Sequence, residues 1–217
     1  MTQRSSSRAM TRLLAAALVI TPLLAACGGG AGVKKDTRYV APDVNTLYRA
    51  AQGRVHQRNY RIAAALFDEV ERQHPYSPWA RRAQLMSSFS YYMDREYTPA
   101  IESAQRFLAI HPGNKDAPYA YYLIGLSYYE QISDVTRDQK ITQQASNALG
   151  EVIRRYPDSR YAADARLKVD LVQDHLAGKE MEIGRFYQRS SNWLAASIRF
   201  REVTQKFQTT SHTPEAL

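Results

Sequence analysis

The sequence predicts an all-α chain, a solenoid of about four helix pairs with the start of a fifth, behind an N-terminal export signal and a flexible tether. Three observations predict it. From Val44 onward glycine is sparse, β-branched runs are absent and apolar residues recur at spacings of three and four. Within that region the chain repeats itself: NYRIAAALFDEVERQHP (59–75), EYTPAIESAQRFLAIHP (96–112), ITQQASNALGEVIRRYP (141–157) and NWLAASIRFREVTQKFQ (192–208) align without gaps. The first thirty residues differ in kind, with a basic start, a short apolar run, and one cysteine followed by glycines.

Residues 1–26 come first. Arg4, Arg8 and Arg12 precede an apolar run from Leu13 to Ala26 that only Thr21 and Pro22 interrupt, and no acidic residue stands before Cys27. A basic segment, an apolar segment and small residues at the exit make a secretory signal peptide. The run is too short for a helix across a bilayer, which takes about 20 residues. Its end, Leu24-Ala25-Ala26-Cys27, resembles the bacterial lipobox. That resemblance implies cleavage before Cys27 and a covalent lipid there, an N-palmitoyl and an S-diacylglycerol group, with no other cofactor. It also accounts for a single thiol in an oxidising compartment. Two or more acyl chains make such an anchor stable, since each buried methylene contributes about 0.8 kcal/mol. No aspartate follows the cysteine, and in the enterobacterial sorting rule its absence favours the outer membrane, on the periplasmic face.

The lipidated N-terminus and a flexible linker follow, residues 27–43. Gly28-Gly29-Gly30-Ala31-Gly32 is a flexible tether, and the polar stretch beyond it contains Pro42. Removing 26 residues from 217 leaves 191, and the loss of three arginines lowers the formal charge from +8 to +5. The remaining Lys and Arg are interspersed with Asp and Glu along helical stretches, the pattern of a solvated face rather than of a nucleic-acid interface. Nucleic acid is therefore not an expected partner.

The solenoid is expected over 44–217, with repeats at about 44–79, 80–118, 119–160 and 161–208 and the start of another at 209–217. The aligned segments share an alanine at Ala63, Ala100, Ala145 and Ala196. Core positions follow at Phe67, Ala104, Leu149 and Phe200, then at Val70, Phe107, Val152 and Val203. Three segments end in proline (Pro75, Pro112, Pro157), and three start with an aromatic (Tyr60, Tyr97, Trp193). The small alanine lets two helices cross closely, the aromatic fills the turn and the proline stops the helix. This is the second helix of a tetratricopeptide repeat.

The first helices agree. Gly184, Tyr187, Trp193 and Ala196 fall at that family's spacing, and Gly125 and Tyr128 repeat its glycine-to-tyrosine step. In HPYSPWA, Ser77 caps a helix and Pro78 takes its first turn, and Asp158 or Ser159 offers the same cap after Pro157. The repeats are stretched: Pro75 to Pro112 is 37 residues and Pro112 to Pro157 is 45, against a standard of about 34. The second excess sits in a charged loop at 132–140. An extra amphipathic stretch between Tyr161 and Gly178 either runs on into the next helix or bends at Gly178.

The strings HPYSPWARRAQLMSSFSYY, YEQISDVTRDQ, RYPDSRYAADARLKVDLVQDHLAGKEMEIGRFY and QTTSHTPEAL strongly resemble the BamD family, especially its alphaproteobacterial members, over nearly all of 44–217. BamD is the lipoprotein of the outer-membrane β-barrel assembly machinery (the Bam complex). The resemblance implies five repeats, attachment to BamA and other subunits of that machinery, and help in recognising, folding and inserting unfolded outer-membrane β-barrel proteins. A chain of this family is expected to continue past Leu217 through a fifth helix pair, and its C-terminal repeats are expected to carry much of the BamA contact. The alternative is another tetratricopeptide lipoprotein of the envelope: a secretin pilotin, a division or peptidoglycan coordinator, or a competence-linked lipoprotein.

A tetratricopeptide array lines its concave side with first helices. Carrying the inward positions onto this sequence gives Tyr48 and Gln52 in repeat one, Arg82, Leu85, Phe89 and Tyr92 in repeat two, and Tyr119, Tyr122, Leu126 and Tyr129 in repeat three. The competing reading makes these aromatics inter-repeat core. Tyrosine suits either role, because an apolar ring with a polar tip can hold an extended, aromatic-ended peptide. No catalytic or metal-ligating constellation is expected. His74 and His111 each precede a repeat-ending proline and read as structural, while His56, His175 and His212 have no partner at metal-ligand spacing. Ser211-His212 reads as a loop with no acidic third member.

Overall fold

A computed structural model describes residues 43–217. The predicted signal peptide, the lipidated Cys27 and the glycine tether lie outside the described residues. Nine helices follow one another in the described part, with no strand among them: α1 (Val44–His56), α2 (Tyr60–Gln73), α3 (Pro78–Met93), α4 (Tyr97–Ile110), α5 (Ala117–Tyr129), α6 (Lys140–Arg155), α7 (Arg160–Arg189), α8 (Trp193–Lys206) and α9 (Thr213–Ala216). Each helix packs on the next. The first helices α1, α3, α5 and α7 also touch one another in series. That one-sided approach makes the first helices the inner row of the array.

The helix starts follow the local chemistry. The Asp43 carboxylate accepts from the backbone N–H groups of Asn45 and Thr46, opening α1. Ser77 Oγ accepts from Ala80 N at 3.1 Å with Pro78 in the first turn, and Ser159 Oγ accepts from Ala162 N at 3.2 Å. Of the two caps offered after Pro157, the structure uses Ser159. The turn within three of the pairs is a Schellman motif: Asn59, Glu96 and Asn192 donate back to the carbonyls of Arg54, Tyr91 and Tyr187. Its left-handed position is filled by Arg58, Arg95 and Ser191, with φ of 57°, 63° and 57°. Glycine ordinarily takes that conformation, so the turns carry no sequence signal.

The core follows the repeat register. Ala63, Ala100, Ala145 and Ala196 are all buried, as are Val70, Phe107, Val152 and Val203. At the shared position between these two the paired helices trade volume. Large residues on the second helix face small ones on the first, at Phe67 with Ala51 and at Leu149 with Gly125. Phe200 faces Gly184, while Ala104 is matched in register by the larger Ser88, whose Oγ donates to Ala100 O at 2.8 Å. A Cβ on Gly125 would lie 2.6 Å from a Leu149 methyl, and one on Gly184 would lie 2.3 Å from the Phe200 ring. Such interlocking fills the interior to close-packed density.

The open question at Gly178 is answered: α7 is one helix of 30 residues. Its first half buries Ala165 and Val172 against α6, and its second half buries Ala177 and Met181 against α8. One helix therefore serves two neighbouring pairs. Gly178 is helical and buried, and makes room for His212, whose Nε2 would stand 3.1 Å from a Cβ there. One expectation fails at the C-terminal end. Trp193 does not fill its turn but is 65% exposed, whereas Tyr60 and Tyr97 are partly buried against Phe89 and Tyr92.

Candidate peptide-binding groove

The inner row divides the ten sequence-predicted residues into groups. Tyr48, Arg82, Leu85 and Tyr119 meet in one cavity of about 510 Å³, completed by Arg81, Met86, Asn114, Lys115 and Asp116. Tyr48 is nearly buried, edge-on to Phe67 at 5.4 Å and tilted against Trp79 at 4.6 Å. Burial pushes its hydroxyl pKa up, and the nearby Arg82 opposes the shift. The Arg82 guanidinium lies 5.7 Å from the centre of the Trp79 ring. Gln52, one turn beyond Tyr48, is exposed to solvent.

The other members are anchored rather than free. Phe89 meets Tyr60 edge-on at 6.4 Å, and Tyr92 lies against Tyr97 at 6.1 Å. Tyr119 and Tyr122 both stack on Tyr161, at 5.3 and 5.2 Å. Tyr122 Oη donates to Asp164, which also takes Lys168 Nζ at 2.9 Å. The Lys168 ammonium in turn sits 5.5 Å from the Tyr129 ring centre. Leu126 is buried, and Tyr129 borders a second cavity of about 350 Å³ with Glu130, Ile132, Ser133 and His175.

Sequence reasoning missed the carboxylates that organise this row. Tyr91 Oη donates to Asp68 Oδ2 at 2.6 Å, and Ser87 donates to the same carboxylate. Burial first, and then the Asp68 hydrogen bond, push the Tyr91 hydroxyl up to about 12. Tyr92 rises to about 12 through burial and the Glu130 charge, and Tyr119 to about 12 through burial beside Tyr161. Tyr122 is raised too, by burial and by its bond to Asp164, whose own pKa is held below the ordinary carboxylate range by Lys168 and Tyr122. Every one of these tyrosines stays neutral at physiological pH, and the hydroxyls of Tyr91 and Tyr122 are held by carboxylates.

The histidines and the Ser211-His212 pair also find their places. His111 ends α4 against the Phe107 ring at 5.5 Å, and His175 Nδ1 lies 3.2 Å from Gln139 Oε1. An acidic member does stand beside Ser211-His212, contrary to the sequence reading: Asp174. It accepts from Ser211 N at 2.8 Å and Oγ at 2.7 Å and lies 3.8 Å from His212 Nε2. Ser211 Oγ spends its proton on the carboxylate rather than on the imidazole. The arrangement therefore pins the 207–212 loop to α7, and is not the relay of a nucleophile.

The chain matches the family model described as YfiO, outer membrane lipoprotein, over residues 41–217. It is 50% identical over 203 residues to a protein of Caulobacter vibrioides, covering 93% of this chain and 66% of that relative. It is 42% identical over 208 residues to one of Rickettsia prowazekii, covering 96% and 81%. A third, from Neisseria meningitidis, is 32% identical over 205 residues, covering 89% and 77%. All three carry the name outer membrane protein assembly factor BamD, which turns the comparison away from pilotins and division coordinators. The match runs through all nine helices described above, and this chain belongs to the YfiO (BamD) family of outer membrane lipoproteins.

Proposed function

We propose that this chain is an outer-membrane protein assembly factor, held to the periplasmic face of the outer membrane by a lipid on Cys27. Its inner row receives unfolded β-barrel polypeptides and its C-terminal end attaches to BamA. It acts by binding and positioning, not by catalysis. Family membership is the observation that carries the reading. The inner row supports the receptor role, because it combines anchored aromatic rings with a cavity bordered by both charged and apolar side chains, the chemistry that extended peptides use.

A comparison among repeats supports the attachment site. At two outward positions of the second helices, three repeats place Arg61 and Ala65, Thr98 and Glu102, Gln143 and Asn147, while the fourth places Leu194 and Ile198. These two are 74% and 55% exposed on the same helix as the exposed Trp193. Apolar side chains where sibling helices are polar or small mark a surface built for a partner.

The test is a detergent pull-down of the tagged full chain from its native envelope, read by mass spectrometry, with Cys27→Ala as control. BamA should come down with the unaltered chain and less of it with the control. Replacing Leu194 and Ile198 with aspartate should reduce it further. Recovery of a secretin or a division complex in place of BamA would overturn the reading.

A further inference from the structure

We infer that a cavity between the second helices α2 and α4, away from the groove, is a socket for a tryptophan side chain presented by a partner polypeptide. This inference goes beyond the receptor reading and does not rest on it. The cavity holds about 500 Å³ and lies between the C-terminal ends of the two helices, over the start of α3. It shares only Arg81 with the inner cavity. Its volume falls within the usual range for ligand sites, roughly 300–1,000 Å³.

Gln84 is the residue that points to a ligand. It lines the cavity and is only 4% exposed. Its Nε2 donates to Glu71 Oε1 at 2.7 Å. A carboxylate only accepts, so this bond fixes which end of the amide meets Glu71. The remaining Oε1 is buried and has no hydrogen-bond partner among the described residues. Glu71 is incompletely served as well, because Arg106 Nη2 stands 3.8 Å from its Oε2, too far for a hydrogen bond. Buried acceptors without a donor are rare in folded proteins, and a ligand that brings one N–H removes the penalty of leaving this one unpaired.

The surroundings select a neutral donor on an apolar body. A cation would meet Arg81 in the lining and Arg106 beside the carboxylate. An anion would meet Glu71 and the unpaired Oε1. Much of the remaining lining, Pro75, Pro78, Ala80 and Ile110, is apolar. Indole carries one N–H and no acceptor, on a large flat ring, so it serves the Gln84 oxygen without turning a lone pair toward Glu71. The apolar surface also continues outside the cavity, where Tyr76 is 99% and Ile110 59% exposed. Residues flanking a tryptophan in a polypeptide would cover that surface, as the surround of a buried aromatic anchor does.

The experiment uses the purified full chain with labelled isoleucine methyl groups and follows the Ile110 methyl by NMR. Three probes are titrated: N-acetyltryptophanamide, its 1-methylindole analogue, and a short capped peptide of glycine and alanine with tryptophan at its centre. The ring current of a seated indole should shift the Ile110 methyl. The methylated analogue keeps the ring but loses the donor, and should bind about tenfold more weakly. The peptide should bind several-fold more tightly than the amide. In Gln84→Met, with helicity confirmed by circular dichroism, the preference for the unmethylated indole should vanish. Tyr76→Ser alters a side chain that packs on nothing, so it tests the site without disturbing the fold, and should bring the peptide down to the affinity of the amide. Equal binding of the indole and its methylated analogue would overturn the assignment and leave Gln84 to water. A peptide no tighter than the amide would overturn the polypeptide partner. An Ile110 methyl that none of the probes shifts would remove the socket and leave the receptor reading standing.

Discussion

Phe67 and Phe200 occupy the same position of the repeat, yet Phe67 has no exposed surface and Phe200 is only partly buried. The same contrast runs through their surroundings. Around Phe67, the cluster of Leu47, Tyr48, Ala51, Ala63, Val70 and Ala83 is closed over by α3. Around Phe200, the buried set reduces to Ala177, Met181 and Val203, and the nearby Phe186, Trp193, Leu194 and Ile198 are all more than half exposed. Repeat position decides which side chain turns inward, and the neighbouring pair decides whether it is sealed. In a solenoid stability is roughly a sum of repeat and interface contributions. Of the two pairs compared, the first, closed over by α3, is therefore the firmer and the α7–α8 pair the looser.

The largest break of this comparison comes from truncating the two phenylalanines. Phe67→Ala should cost about 3–5 kcal/mol, the range for a large aromatic removed from a sealed core. Phe200→Ala should cost about 1–2 kcal/mol, because solvent already reaches part of its ring. Urea unfolding followed by circular dichroism measures both. Equal costs would mean that the C-terminal pair is as tightly closed as the first.

Alkaline pH sharpens the same contrast. Tyr91, Tyr92 and Tyr119 titrate near 12 in the folded chain, above the ordinary value of 10.0. A group whose pKa is raised by folding contributes stability that is whole below its unfolded pKa and is withdrawn as the pH rises through the folded one. Stability should therefore fall between pH 10 and 12. The loss should appear first in α3 and α5, where these tyrosines lie, as read by pulsed hydrogen exchange across the helices. Loss beginning in α8 would contradict the assignment.

The smallest effect is at the glycines. Gly125→Ala forces a methyl against the sealed Leu149, and should destabilise by about 1–2 kcal/mol after the helix gain of about 1 kcal/mol that alanine brings. Gly184→Ala presses on a ring with room to swing outward, and should come close to neutral. A thermal unfolding series of the two variants decides it.

Much of the fold was legible because second helices repeat in a fixed register: Ala63, Ala100, Ala145 and Ala196 mark it, and all four are buried. Ser77 and Pro78 were legible because capping is local. Gly178 was not, since glycine both ends helices and permits close approach, and only the position of His212 shows which role it plays. The Schellman turns were silent because Arg58, Arg95 and Ser191 hold the place of glycine. At the groove, residue type located Tyr48, Arg82, Leu85 and Tyr119. The carboxylates that hold the neighbouring Tyr91 and Tyr122 escaped, as Asp68 serves Tyr91 across 23 residues and Asp164 serves Tyr122 across 42. Lys115 escaped as well, because a loop residue has no periodicity to betray its direction.

The central proposal is that the inner row of the first three pairs receives polypeptide while the outward face of α8 serves attachment. Hydrogen–deuterium exchange of the full chain, with and without a saturating phenylalanine-ended peptide, tests it most directly. Slowed exchange in α1, α3 and the 111–119 segment, with α8 unchanged, is the predicted result. Protection confined to Trp193–Lys206, with the first three pairs unaffected, would contradict it.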